Sequence, residues 1–294
     1  MENECLPDIQ CTLPSVKIPI RQVGVENIVV PFRLESKYGG FHQLSANVSM
    51  RTNLDENIKG ISMSRMLLTL KPYLDLPLKH VLIKKILQDL TNNLESTSSF
   101  MKFEFSLPIN RKSILTQNSF PIYYNCKFEG QLFKTKDENA LGDFYIEKFK
   151  FYQGVRIQYA SYCPCSAELC NDLNDKSSKG YPHNQRSYAD ILVEVQEPNY
   201  VWLEDIIECV ESRIKTLPYP IIKRIDEQEI ARVAAENPMF VEDAIRFISD
   251  ELNKRTDICD WIVKCTHEES IHTSEAIAIN WKGVENGFNG RRYV

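Results

Sequence analysis

The chain has 294 residues, 43% of them hydrophobic and 26% charged, with a formal net charge of −5. Such a chain folds as one large or two ordinary soluble domains and buries its own core without staples. Its acidic balance excludes a global field for nucleic acid, so an anionic substrate needs a local cluster of Arg and Lys. No apolar run approaches the roughly 20 residues that span a bilayer, so no membrane segment is expected. The polar start MENECLPDIQ does not read as a secretory signal. Nine unevenly spaced cysteines fit a reducing, cytoplasmic setting better than a disulfide framework.

In chain order, residues 1–20 lack periodicity and read as an N-terminal arm. Val23 to Leu34 and Phe41 to Thr52 read as strands joined by a turn at Tyr38-Gly39-Gly40. Two helices follow, Ser62 to Tyr73 and Leu78 to Leu94. In the second, Leu78, Leu82, Ile86, Leu87, Leu90 and Leu94 recur at helical spacing. Phe100 to Leu107 alternates as a strand does, and Ser119 to Phe133 reads as another. A polar stretch, Lys134 to Leu141, separates the halves. Asp143 to Phe151, Gly154 to Ala160 and Ser187 to Val195 then read as strands, Leu203 to Arg213 and Pro238 to Lys254 as helices. Ile258 to Cys265 and Ala276 to Trp281 close as strands. The expected class is α+β, with two tandem ββααββ modules, antiparallel sheets and helices on one face. The modules are residues 21–138 and 139–294, the second with extra segments and most of the site.

Four groups of short segments concentrate chemistry-bearing side chains. Cys163-Pro164-Cys165-Ser166 and Pro182-His183-Asn184-Gln185-Arg186-Ser187 supply thiols and an imidazole. A thiolate is a soft ligand and a nucleophile, and imidazole is a borderline ligand. A loop between them could bring both to one strand mouth, although thiols beside a proline also pack as small apolar groups. Lys223-Arg224-Ile225-Asp226-Glu227 and Asn237-Pro238-Met239-Phe240-Val241-Glu242-Asp243 look like solvated helix starts. Asn237-Pro238 reads as a cap and first turn, and Glu242 could cap or pair with Arg246. His267-Glu268-Glu269-Ser270-Ile271-His272-Thr273-Ser274-Glu275 sets two imidazoles and several carboxylates beside an apolar strand. On a continuing strand, His267 and Glu269 would share one face, Ser270 and His272 the other. Lys59-Gly60-Ile61-Ser62-Met63-Ser64-Arg65 offers free N–H groups and a cation at a helix start, which suits a phosphate or an ordinary cap.

In order along nearly the whole chain, LPDIQ at Leu6 to Gln10, KGISMSR, CPCS, HNQRS, KRIDE, NPMFVED and EESIH resemble GTP cyclohydrolase IB, the prokaryotic-type GTP cyclohydrolase I family. The resemblance implies the tunnelling fold and a homotetramer with sites at subunit interfaces. It implies conversion of GTP and water to 7,8-dihydroneopterin triphosphate and formate, at the entry to pterin and folate synthesis. It also implies a divalent ion (zinc, manganese or iron(II)) on Cys163, His183 and Glu227. Glu242, or else Glu269, would anchor guanine, and His272 would move protons near the ion. Cys163, His272 and Glu269 are thus the expected catalytic residues, and Arg65 and Arg186 the candidates for the triphosphate. The residue types suit the chemistry: water attacks the electron-poor C8, a divalent ion acidifies that water, and His and Glu shuttle protons near neutrality.

Three features depart from the family pattern. Ser62 stands where K-G-x-H-M-S-R has histidine. Ser274 stands where a second histidine follows the one matching His272. The stretch from Cys163 to His183 is longer than usual. Serine neither donates a proton near neutral pH nor binds metal as imidazole does, so the shuttle would run through water, His267 or Glu269, or the activity is altered. The rival readings are an archaeal-type cyclohydrolase that yields a cyclic phosphate, and a catalytically silent purine- or pterin-binding oligomer. A tunnelling-fold nitrile reductase with a cysteine nucleophile and NADPH is a third, against which His183, Glu227 and His272 argue.

Overall fold

Alternating apolar residues extend further than the sequence pattern alone marks. In the computed structural model, which describes residues 9–136, 145–176 and 180–290, the first hairpin is β1 (Ile20–Glu35) with β2 (Phe41–Leu54). Helices α1 (Met63–Leu70) and α2 (His80–Asn93) follow, then the long strands β3 (Ser98–Lys112), β4 (Ser119–Lys136) and β5 (Tyr145–Tyr162). The later elements are α3 (Pro164–Asp175), β6 (Asn184–Val195), α4 (Leu203–Glu211), α5 (Arg224–Glu236), α6 (Val241–Asn253), β7 (Asp260–His267) and β8 (Ala276–Trp281). The strands hydrogen-bond in chain order, β1 to β8, in one eight-stranded antiparallel sheet. The first half runs ββααββ as expected. The second inserts α3 between its opening strands and carries three helices, not two, before its closing pair.

By contacts the chain forms two compact units, Met1–Phe105 with Lys127–Tyr152, and Ser106–Cys126 with Gln153–Val294. Strands β3, β4 and β5 contribute residues to both. The boundary expected at residues 138 and 139 lies outside the described residues, as do Leu6, Pro7 and Asp8 of the LPDIQ segment.

In the first unit, α2 buries Ile83, Ile86, Leu87 and Leu90, so Ile83 takes the inward place expected of Leu82. Phe32 of β1, Phe105 of β3, Phe128 of β4 and Phe151 of β5 form a chain of aromatic contacts, with ring centroids 5.0, 5.2 and 5.5 Å apart. Each ring buries a large apolar surface, and edge-to-face contact adds a little more. The β1–β2 register shifts near Gly24, where a Cβ would stand 1.9 Å from the Met50 carbonyl oxygen. Only glycine permits that approach. The arm docks through Gln10, whose carbonyl accepts from the Gly60 N–H (3.2 Å) and whose amide donates to the Ile61 carbonyl (3.1 Å).

The second unit centres on β7, where seven of eight residues are buried. That near-continuous run reads poorly as alternation because both faces are covered. Its core adds Ile157, Tyr159, Ile191, Val193, Ile206, Val210, Ile248, Leu252 and Trp261. Two expectations fail. Gly154 does not break β5, because apolar residues on either side keep one strand paired through it. Asn237-Pro238 does not open α6 but closes α5: the residue before proline is driven from the helical region, and Asn237 caps with its N–H on the Ala234 carbonyl at 3.2 Å. Among the described residues, no helix is long and apolar enough to cross a membrane.

Asp260, fully buried at the start of β7, gathers the segment after β8. Its carboxylate accepts the N–H groups of Trp261 (2.9 Å), Gly283 (2.9 Å) and Phe288 (2.6 Å). Asp260→Ala leaves those donors without a partner and should destabilise the protein by about 2–5 kcal/mol. Urea unfolding will show it as a lower midpoint at unchanged slope.

Candidate active site

Strand β5 ends at Tyr162, and Cys163 is the N-cap of α3, with Pro164 in the first helical turn. A proline there fits because its missing N–H has no helical partner to lose. Strand β6 starts one residue after His183. The Cys163 N–H approaches the His183 carbonyl at 3.4 Å, and the His183 N–H donates to Ser166 Oγ at 3.3 Å. CPCS and HNQRS therefore meet at one sheet end. The connection expected to be a loop contains a helix, missed because Pro164 marks its first turn and only Cys170 is buried along it.

Strand β7 brings the EESIH segment to the same end. Ser187 pairs with His267, and the Glu268 N–H donates to the Arg186 carbonyl at 2.9 Å. The chain then turns, with Glu269 N–H on the His267 carbonyl (3.0 Å) and His272 N–H on the Glu269 carbonyl (3.2 Å). The expected face-sharing of His267 with Glu269 does not hold, because the strand stops at His267. Glu269 instead meets β6. Gln185 donates its amide N–H to Glu269 Oε1 at 3.1 Å, and Gln185 Oε1 lies 3.1 Å from His183 Nδ1. His272 and Ser274 are exposed.

His267 is 1% exposed, and its Nε2 lies within hydrogen-bond distance of the Tyr159 hydroxyl, at 3.0 Å. Burial pulls its pKa down to about 4, outweighing the opposing pull of the Glu242 carboxylate. Burial, reinforced by Cys265, also holds the Tyr159 phenol in its protonated form.

Two helix starts carry the remaining expected residues. Asp226 is buried, and its carboxylate accepts the N–H groups of Leu115, Thr116 and Lys223 (each 2.9 Å) and the Thr116 hydroxyl (2.6 Å). Burial works against the charge, but the bonds led by Thr116 win and hold its pKa far below the usual carboxylate range. The neighbouring Glu227 is exposed. At α6, Asp243 caps the Phe240 N–H (3.2 Å) and pairs with Arg246 (3.0 Å), the partner expected of Glu242. Glu242 is left exposed, with no ion pair or hydrogen bond from its side chain among the described residues. The Met239 N–H donates to the Tyr162 carbonyl at 2.9 Å, which ties the approach to α6 to the residue before Cys163.

Arg186 is exposed and its side chain makes no ion pair among the described residues. Arg65 belongs to the first unit, where Ser62 Oγ caps its N–H at 3.3 Å and its guanidinium reaches the Asn93 carbonyl at 3.4 Å. Sulfur, imidazole and carboxylate donors are the right types for a divalent ion. Among the described residues, however, no three His, Cys, Asp or Glu side chains cluster to hold one. The expected set of Cys163, His183 and Glu227 is not assembled within the single chain. A cleft of about 530 Å3 opens further along the same strands, between Tyr123, Arg156, Gln158, Tyr188 and Tyr219.

Residues 6–278 match the family described as type I GTP cyclohydrolase FolE2. The chain is 33% identical over 274 residues to GTP cyclohydrolase FolE2 of Geobacter metallireducens, spanning 93% of this chain and 95% of that protein. It is 30% identical over 283 residues to that of Cereibacter sphaeroides, spanning 95% of this chain and 76% of the relative. The chain belongs to the FolE2 family. Its likenesses to solved structures are of fold alone. Urate oxidase of Bacillus sp. TB-90 superposes with a TM-score of 0.55 at 8% identity, over 90% of this chain and all of that one. The uricase of Arthrobacter globiformis gives 0.54 at 6% identity, over 92% and 95%. These mark the tunnelling fold.

In this FolE2 chain the residues that sequence reasoning passed over are Gln185 and Asp226. Neither is a nucleophile or a conventional metal ligand in its setting; each holds a neighbour. The buried His267 gives a testable pH signature. Below about 6.5 the unfolded chain binds a proton that the folded imidazole refuses until about 4, so stability falls as pH drops through that window. His267→Gln keeps a hydrogen-bonding partner for Tyr159 and removes the titration. Relative to the variant, the parent should lose roughly 3 kcal/mol between those limits, at about 1.4 kcal/mol per pKa unit. Urea midpoints of both proteins across that range will measure it, and parallel curves would refute it.

Proposed function

We propose that this protein is a GTP cyclohydrolase that converts GTP and water to 7,8-dihydroneopterin triphosphate and formate. The observation that carries the reading is the meeting of CPCS, HNQRS and EESIH at one sheet end, with the free Glu242 carboxylate acting on His267 beside them. Glu242 is the better guanine anchor of the two candidates. Its carboxylate is unengaged at a helix start, able to accept two N–H groups from the guanine edge, whereas Glu269 is held by Gln185. Cys163, His183 and Glu227 would hold a divalent ion, zinc, manganese or iron(II). When bound, such an ion supplies acidified water for attack at C8. His272, exposed on the turn, would carry protons to and from the purine nitrogens as the ring opens and C8 leaves as formate. Arg186, and Arg65 at the start of α1, would take the triphosphate.

The single chain leaves β1 and β8 as sheet edges, with Val29 73% and Ile277 53% exposed. Exposed edges of this kind invite pairing with another chain. That supports a homotetramer whose interfaces complete the ligand set with Glu227.

Purified protein given GTP with manganese, zinc or anaerobic iron(II) should release formate and a product that oxidises to a fluorescent pterin. Mass spectrometry separates this product from a cyclic phosphate. Binding of GTP without formate release under every metal would favour a silent purine-binding oligomer. Cys163→Ala should lower metal occupancy and cut turnover by roughly 100-fold or more, since even outer changes at metal sites cost ~10–100-fold. Unchanged activity would remove Cys163 from the ligands. Ser274→His, which restores the family's second imidazole, should raise the rate or leave it alone, and a large loss in the same formate assay would count against the assigned geometry.

A further inference from the structure

A carboxylate, an amide and an imidazole stand in line at the start of β6. Gln185 Oε1 lies 3.1 Å from His183 Nδ1, and Gln185 Nε2 lies 3.1 Å from Glu269 Oε1. The amide is 7% exposed, and the side chains it joins are 16% and 18% exposed. Water is thus a poor substitute for either partner, and a mismatched pair would leave polar atoms buried and unsatisfied. Charge fixes the direction of both bonds. An ionised carboxylate only accepts, so the amide turns its NH2 toward Glu269. The flipped amide would set oxygen against oxygen. The amide oxygen then faces Nδ1 and can only accept, so Nδ1 carries the hydrogen. Glu269 Oε2 is 3.7 Å from Nδ1, too far to take that hydrogen itself. Gln185 relays the carboxylate's preference across the gap, and Nε2 of the neutral ring is left as a bare lone pair.

We propose that Glu269 and Gln185 form a tautomer lock on His183, reserving Nε2 as the nitrogen that takes a divalent ion. The ion rests on the function proposed above; the tautomer does not. Both residues are positioning residues, acting through His183 rather than on the purine. The backbone sets up the lock. The bond from Glu268 to Arg186 and the pairing of Ser187 with His267 hold the turn bearing Glu269 against the strand bearing Gln185. A metal-bound imidazole whose other nitrogen is tied in this way binds in one tautomer and one ring orientation, with raised basicity.

The test uses metal-free protein at mildly alkaline pH. Nitrogen-15 spectra of the imidazoles, with His183 assigned through His183→Asn, should show Nδ1 protonated and Nε2 bare. Gln185→Leu and Glu269→Gln should each mix the tautomers and weaken zinc binding by about 10–100-fold in competition with a chromogenic chelator. A protonated Nε2 in the parent overturns the proposal, and so does a folded variant that keeps both the parent tautomer and the parent affinity. If both variants unfold, the parent's tautomer decides alone. If the parent shows the Nδ1–H form but Cys163→Ala leaves zinc affinity untouched, the metal reading falls and the lock stands.

Discussion

Ser187 sits opposite His267, and from there the β6–β7 ladder runs without a shift to Glu194 opposite Asp260. That register fixes which residues can meet at the site. A slip of one position would turn every β7 side chain to the other face, lifting His267 away from Tyr159 and turning Lys264 to the face that Trp261, Val263 and Cys265 now occupy. The slip is opposed at both ends. Trp261, Val263 and Cys265 are buried, where an unpaired charge would be costly, and Asp260 is held by three N–H donors. Only with this register does the turn after His267 deliver Glu269 to Gln185, and through that amide link a carboxylate to the imidazole of His183.

The two acidic pairs, Asp226-Glu227 and Glu242-Asp243, divide labour in the same way. In each, the aspartate occupies the third helical position and reaches back to the N–H of the capping residue. Its short side chain suits that task, and its charge suits the positive end of the helix. The glutamate beside it is released from capping and stays exposed at the first turn. Asp226 goes further, because the β3–β4 turn presents two more backbone donors to it. The first turn of α5 is therefore a fixed platform, and Glu227 stands on it. Simple solvation of charged helix starts accounts for Glu227 and Glu242 but not for Asp226.

Local pattern carried the strands well where one face is wet: Phe103, Phe105 and Leu107 are buried in alternation, as the sequence of β3 demands. It carried less where burial is two-sided, which is why β7 is displaced by two residues from its expected bounds. Helix α3 escaped because its only buried residue is Cys170, so no apolar stripe announces it. The order of the motifs pointed to the family, and their meeting at one sheet end follows the β5–β6–β7 neighbourhood. Gln185 was illegible for a different reason. An amide neither titrates nor ranks as a usual ligand, and its partner Glu269 comes from a distant strand end. Its role exists only after pairing.

The absent histidines can be weighed against what the fold does with the residues present. Ser62 has a structural occupation: its hydroxyl caps α1 through the Arg65 N–H, a task imidazole performs poorly. Of the substitutes considered for the proton shuttle, His267 is the least suited. It is sealed from solvent, its Nε2 is taken by the Tyr159 hydroxyl, and it accepts a proton only near pH 4. Glu269 is committed to Gln185 by a half-buried bond. Within the proposed chemistry, exposed His272 and the water around it remain as the proton carriers. A shuttle with one imidazole must exchange its proton with solvent between the two hydrolytic steps, where a pair could pass it on directly. That places the burden of proton transfer on the solvent access of the turn from Glu268 to Glu275, beyond the end of the ladder that holds His183.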